Sequence, residues 1–280
     1  MLILLLALTN ESVDMNRIAL VTGASSGIGR AVAELLSQNG YIVYGASRSE
    51  PMNSSGLVHT IPMDVRDEQS VMSVLREIEA KQGALHVVVN CAGLGMLGAI
   101  EDSSSQEVEA LFQTNLMGVH HVCKHSLPLL RAGGNGYIIN ITSVAAQMGL
   151  PFRGIYCASK FAVEGYSESL SQEVAKDGIR VVIVEPGDVF TSINGNRKVV
   201  SAISERYALT HKTIQQQVNQ EVEDGLGPSA IANGILKILQ MKNPRLRYRI
   251  ARPQAKLAYY LMRLLPDRVF ERIVMRHYKI

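Results

Sequence analysis

Six short, almost uninterrupted apolar runs mark the chain at residues 17–22, 41–46, 57–61, 85–90, 136–141 and 179–184. Between them, apolar positions recur three or four residues apart at 27–39, 68–82, 105–131 and 155–176. Continuous apolar stretches of this length predict strands buried on both faces, and the 3.6-residue period predicts amphipathic helices. Residues Arg247 to Ala251 predict a seventh strand. The alternation implies an α/β fold: a single doubly wound, Rossmann-type domain with a parallel sheet of about seven strands and helices on both faces. In such a sheet ligands bind at the carboxyl ends of the strands, and Gly29, Asn90, Ser143 and Gly187 all fall at or just past those ends.

The pattern changes at both flanks. Leu2 to Leu8 is an apolar run of seven with no basic segment before it and no convincing cleavage site after it. Spanning a bilayer takes about 20 apolar residues, so this run is too short for a transmembrane helix. Met15 stands immediately before the first strand, which favours an upstream start over a weak tether or a truncated export signal. Residues 1–14 are therefore expected to be an unstructured extension, 15–251 the α/β domain, and 252–280 a basic, amphipathic C-terminal helical extension packed on or near it. In that extension Leu257, Tyr260, Leu261 and Leu264 follow helical spacing, Pro266 interrupts, and Val269, Phe270, Ile273 and Val274 resume it.

Composition and charge sharpen this picture. With 280 residues, 47% hydrophobic and 19% charged, the chain can bury one large core and is not disordered. The net charge of +3 hides a segregation: residues 242–280 carry eleven Lys and Arg against two acidic residues, and the remainder is net acidic. Through residues 255–280 a basic amphipathic helix pair suits peripheral contact with an anionic membrane, and equally an ordinary helix pair packed on the core or over a cleft. Cys91, Cys123 and Cys157 show no paired spacing, which suits a reducing, cytoplasmic setting. His121 and His125 share a helix face but have no carboxylate or thiol at matching spacing, so packing or interface roles are expected and no metal. No nucleic-acid partner is expected.

Two constellations carry chemistry. The run Arg17 to Thr22 leads straight into Gly23-Ala24-Ser25-Ser26-Gly27-Ile28-Gly29, and a helical pattern follows at once. Glycines there let the chain turn tightly and bring a pyrophosphate against the amides at a helix N-terminus, where the dipole favours negative charge. The spacing departs from G-x-G-x-x-G. Farther on, Tyr156 and Lys160 stand four residues apart, so a helix projects both from one face, and Ser143 follows an apolar strand. A free phenol has a pKa of about 10 and needs a neighbouring cation to exchange protons near neutrality. A serine hydroxyl can hydrogen-bond the carbonyl or alcohol oxygen on which that proton arrives or departs.

Together Thr22 to Gly29, Asn90-Cys-Ala-Gly93, Asn115, Ser143, Tyr156-x-x-x-Lys160 and Pro186-Gly187 resemble the short-chain dehydrogenase/reductase family, in family order over residues 17 to about 195. The resemblance implies a tetrad: Tyr156 as general acid/base, Lys160 holding the nicotinamide ribose and lowering the tyrosine pKa, Ser143 orienting the substrate oxygen, and Asn115 holding a relay water. It also makes 15–251 the dinucleotide-binding catalytic domain and implies a cofactor site. Gly23, Ser25, Ser26, Gly27, Ile28 and Gly29 belong to the phosphate turn, Asp64 and Val65 to the adenine, Asn90, Ala92 and Gly93 to the adjoining ribose, and Pro186, Gly187, Val189 and Thr191 to the carboxamide end. Cys91 replaces the usual second asparagine of Asn-Asn-Ala-Gly. The long helices at 105–131 and 155–176 are those through which relatives usually form dimers, so a homodimer or homotetramer is expected.

Cofactor choice follows from charge. NAD-specific sites place a carboxylate near the end of the second strand, whereas a 2'-phosphate needs a cation there. Ser47 and Arg48 fit the phosphate, so NADP(H) is expected. The flanks Leu94 to Met96, Met148 to Leu150, Phe152 and Val189 to Tyr207 are largely apolar, which favours a small hydrophobic carbonyl or alcohol as substrate. The phrases Asn90 to Gly95 and Gly149 to Phe152 are similar to steroid and retinol oxidoreductases of the family, which implies a lipid-like ketone, aldehyde or secondary alcohol. A catalytically silent NADP(H) sensor has no need of Ser143, Tyr156 and Lys160 together, and epimerases or dehydratases with a Tyr-Lys pair usually show another glycine spacing.

Overall fold

The structure, a computed structural model, describes residues 17–48, 58–190 and 197–280. The expectations for residues 1–14 and for Thr191 lie outside the described residues. The seven expected strands are present and parallel: β1 (Ile18–Thr22), β2 (Ile42–Ser47), β3 (Val58–Pro62), β4 (Val87–Asn90), β6 (Tyr137–Ile141), β7 (Arg180–Pro186) and β9 (Arg247–Ile250), in the order β3-β2-β1-β4-β6-β7-β9. The order reverses between β1 and β4. Such a reversal opens a crevice at the strand carboxyl ends.

Alternate residues of each strand serve opposite faces. Leu20, Val88 and Ile138 pack on one side with α2 (Glu68–Gln82), α4 (Gly118–Gly133) and α5 (Gly154–Glu173), while Val21, Val89 and Ile139 pack on the other with α1 (Gly27–Gln38) and α7 (Pro228–Leu239). Both faces are covered, which is why the strands read as unbroken apolar runs.

The expected helix over 105–131 is interrupted. It forms as α3 (Ser105–Phe112), a π-helical turn Gln113–Met117 and α4. The widened turn sits where Asn115 is drawn toward the chain after β4: its Oδ1 accepts from Leu94 N at 2.8 Å and its Nδ2 donates to Leu94 O at 3.0 Å. Single π turns inside helices accompany functional positions.

Further elements complete the carboxyl end. A two-stranded sheet pairs β5 (Gly95–Leu97) with β8 (Arg197–Val199), α6 (Glu205–Glu223) follows, and α8 (Pro253–Leu264) and α9 (Asp267–His277) lie across the strand ends. Among the described residues, no helix is long and apolar enough to cross a membrane.

Candidate active site

The end of β6 and the first two turns of α5 carry the candidate catalytic groups. Ser143 follows β6 and caps a 3-10 turn, its Oγ accepting from Ala145 N at 3.1 Å, and its hydroxyl reaches the Tyr156 phenol. One helical turn beyond Tyr156, the buried Lys160 donates from Nζ to Ile141 O at 3.0 Å. Asn115 also donates to Ser159 Oγ at 3.0 Å, so its amide hydrogens tie the π turn to α5 and to the chain after β4. A Cβ built on Gly93 would lie 3.4 Å from Asn115 Oδ1 and 3.5 Å from Lys160 Nζ. All four residues therefore converge on one end of the sheet.

Electrostatics adds a residue that the sequence reading missed. Burial pushes the Tyr156 phenol up, and the strongest opposing influence is the Arg153 guanidinium, followed by the bond with Ser143. The expectation that Lys160 lowers Tyr156 is thus met first by another cation: Arg153 lies 5.6 Å from the phenol ring centroid, whereas Lys160 turns to the end of β6. Burial pulls the Lys160 ammonium down to about 8, with Cys91 and Glu164 opposing. Burial pushes the Cys91 thiol up to about 12, so the residue replacing the family's asparagine is an uncharged wall group at neutrality.

The switch point forms a cradle of about 170 Å³ that collects Gly23, Ser25, Ser26, Ile28, Gly29, Ser47, Arg48, Asp64, Val65, Ala92 and Gly93. Its shape depends on two glycines. A Cβ at Gly29 would stand 2.3 Å from Gly23 O, and Gly23, at φ +66°, comes so close to the loop after β4 that a Cβ would meet Ala92 Cα at 2.9 Å. Ser26 makes no side-chain cap on α1, leaving the first helical amides for an anion. Thr22 Oγ1 secures the opposite wall by accepting from Cys91 N at 3.1 Å and Ala92 N at 3.0 Å. A narrow cleft with open helix amides at one end fits a dinucleotide.

Five expected cofactor residues are not among those lining this cradle. Gly27 opens α1 between Ser26 and Ile28, which do line it. Asn90 turns inward, donating to Asn140 Oδ1 at 2.8 Å and Cys123 Sγ at 3.3 Å, because the neighbouring strand offers a buried acceptor. Gly187 donates its N–H to Ile250 O at the end of β9, and Val189 forms a bridge with Leu226 between α6 and α7. Pro186 is buried at the end of β7. Conversely, Arg66 lines the cradle next to Arg48 and forks onto the Asp64 carboxylate, holding it below the usual range. Its closeness to Asp64-Val65 was the available signal.

A second cavity, about 400 Å³, adjoins the catalytic end. Leu150, Leu261, Phe270 and Val274 give it apolar walls, Arg153 and Asp188 border it near Tyr156, and Tyr278 closes it. The expected apolar flanks reach it only in part: Met148 and Leu150 line it, whereas Met96 packs with Leu111 and Val200, and Phe152 packs beside Leu97 and Ile214. His121 Nδ1 contacts Val65 O at 2.9 Å and His125 Nε2 contacts Glu68 at 2.6 Å.

A switch-point cradle beside a Ser, Tyr and Lys cluster defines a dinucleotide-dependent oxidoreductase. The chain belongs to the short-chain dehydrogenase/reductase family: the family model described as short chain dehydrogenase matches residues 17–199. It is 38% identical to the 3-ketodihydrosphingosine reductase of Bacteroides thetaiotaomicron over 94% of this chain and 98% of that one. It is 30% identical to the NADPH-dependent 3-dehydrocapnine reductase of Ornithobacterium rhinotracheale, again over 94% and 98%. A solved short-chain dehydrogenase from Streptomyces avermitilis superposes with a TM-score of 0.79 at 30% identity, covering 94% of this chain and 97% of the other. Other solved neighbours carry NAD or an NADP derivative.

Proposed function

We propose that the protein is an NADP(H)-dependent reductase of a ketone on a long-chain, lipid-like substrate, of the type named in its 3-ketodihydrosphingosine reductase relative. The observation that carries this reading is the 400 Å³ cavity, apolar along α8 and α9 and charged beside Tyr156. Such a shape suits an alkyl chain with the reacting carbonyl at its polar end. A steroid or retinoid remains within the hydrophobic class but gives the charged end no partner.

Bound NADP(H) supplies the hydride. Ser143 holds the carbonyl oxygen, and Tyr156 delivers the proton that completes the alcohol. Lys160 and Arg153 stabilise the charge left on the phenol oxygen, and Asn115 holds the water through which Tyr156 is reprotonated. Gly23, Ser25, Ser26 and Gly29 take the pyrophosphate, and Ala92 and Gly93 lie along the adjoining ribose. Arg48 and Arg66, which both line the cradle beyond β2, take the 2'-phosphate.

Two surface features extend the reading. Leu257, Tyr260, Leu264 and Val269 are exposed on α8 and α9 beside Lys256, Arg263, Arg268 and Arg272, a surface suited to peripheral contact with an anionic bilayer that holds the substrate. Self-association through α4 and α5 is supported by the exposed Phe161 on α5.

Loss of reduced-nicotinamide absorbance with a panel of long-chain, steroid and short ketones tests the assignment. Consumption of NADPH with the long-chain ketones is expected; equal efficiency with NADH, or turnover confined to short ketones, overturns it.

A further inference from the structure

Two opposite charges share the polar end of the 400 Å³ cavity without meeting. Asp188 follows β7, and its backbone is clamped: Leu226 N donates to Asp188 O at 2.9 Å, and Phe190 N donates to Leu226 O at 2.8 Å. Its half-buried carboxylate makes no hydrogen bond or ion pair among the described residues, yet it acts electrostatically on Tyr156, Arg153 and Tyr278. Arg153 sits 5.6 Å from the Tyr156 ring centroid and takes the Tyr278 hydroxyl, but no carboxylate pairs with it among the described residues. Other acidic groups on the wall are engaged: Glu221 contacts His277 at 2.8 Å, and Asp224 accepts from Gln220 at 3.3 Å.

A half-buried carboxylate and a guanidinium that share a cavity wall without pairing keep hydrogen-bonding capacity that a ligand can take up. An amphoteric headgroup does so. In a 2-amino-3-ketone the carbon bearing the amine is bonded directly to the carbonyl carbon. With the carbonyl oxygen at Ser143 and Tyr156, the ammonium therefore falls beside the reacting centre, where Asp188 stands. An oxygen substituent on C1 lies one carbon farther, within reach of a guanidinium that borders the same phenol. The alkyl chain then continues between Leu261, Phe270 and Val274.

We propose that Asp188 and Arg153 form a headgroup subsite, Asp188 binding the ammonium and Arg153 the C1 oxygen of a long-chain 2-amino-3-ketone. The subsite rests on the reading of the protein as a long-chain ketone reductase and adds what selects among such ketones. A fixed carboxylate that gains a buried ammonium makes a hydrogen bond to a charged group, which corresponds to a preference of about 10- to 100-fold.

The test compares kcat/KM with NADPH for a long-chain 2-amino-3-ketone and for the same ketone without the amine, in the wild-type chain and in Asp188→Asn. The expected result is a wild-type preference of that size for the amino ketone, falling to within about threefold in Asp188→Asn. Equal wild-type efficiencies, or a preference that survives the substitution, overturn the subsite. If neither ketone is reduced, the reductase reading fails instead, and the subsite is then judged by thermal shift with the corresponding amino diol and its amine-free analogue. A shift confined to the amino compound and lost in Asp188→Asn supports it; equal shifts, or none, overturn it.

Discussion

Two cations stand near Tyr156 in different attitudes. Arg153 borders the ring at 5.6 Å, while Lys160 is anchored to Ile141 O and faces Gly93. Tyr156→Phe keeps the ring and removes the transferable proton, so turnover is expected to fall by about two to four orders of magnitude with dinucleotide affinity retained. Steady-state kinetics beside a direct cofactor titration checks this; retained turnover sinks the assignment. Lys160 gives a pH signature. Its folded pKa is lowered to about 8, so the ammonium is charged below that value and neutral above it. The kcat/KM for reduction should decline as pH rises through about 8, and Lys160→Arg, which stays charged, should lose that limb. A profile unchanged by the substitution contradicts this role for Lys160.

At the scale of elements, the turn between β1 and α1 is held by steric necessity. Gly29→Ala would place a methyl 2.3 Å from Gly23 O, so either the helix start or the strand end must shift. Dinucleotide affinity is expected to drop at least about tenfold, since the amides at the helix start no longer meet the phosphate in register; calorimetric titration with NADP+ reads it, and unchanged affinity refutes it. This turn was legible in the sequence because glycine spacing is a local property. The strands were legible for a related reason: burial on both faces leaves unbroken apolar runs. Other elements were not. α6 was missed because it buries only His211, Ile214 and Val218 in nineteen mostly polar residues, and its helical signal is thin. The π turn depends on Asn115 meeting Leu94, and the inward Asn90 depends on Asn140, partners that sequence spacing does not disclose. Arg153 was missed likewise, since its partner Tyr278 belongs to a distant helix end.

For the molecule as a whole, the edge of the sheet and the catalytic helix are joined by charge. Glu185, fully buried on β7, pairs with Arg249 and with Arg247 Nε at 3.1 Å, while Arg247 also reaches Glu164 on α5 at 2.7 Å. Glu164 in turn accepts from Thr142 Oγ1, beside Ser143. Two of the eleven cations counted in the basic tail are therefore spent inside the fold, and the surface excess belongs to α8, α9 and their flanks. Glu185→Ala leaves Arg249 and Arg247 short of a buried partner and should lower unfolding free energy by about 3–5 kcal/mol, read from urea denaturation. A loss under about 1 kcal/mol would show that solvent replaces the carboxylate freely.

The two cavities draw on different stretches of the polypeptide. Residues 23–94 furnish the lining of the cradle apart from Thr114, whereas the larger cavity takes much of its wall from 252–278. Clipping within α9 is therefore expected to breach the larger chamber and leave the cradle whole, so that NADP+ titration of the nicked species matches that of the intact chain; a lost affinity would show that the cradle leans on the tail.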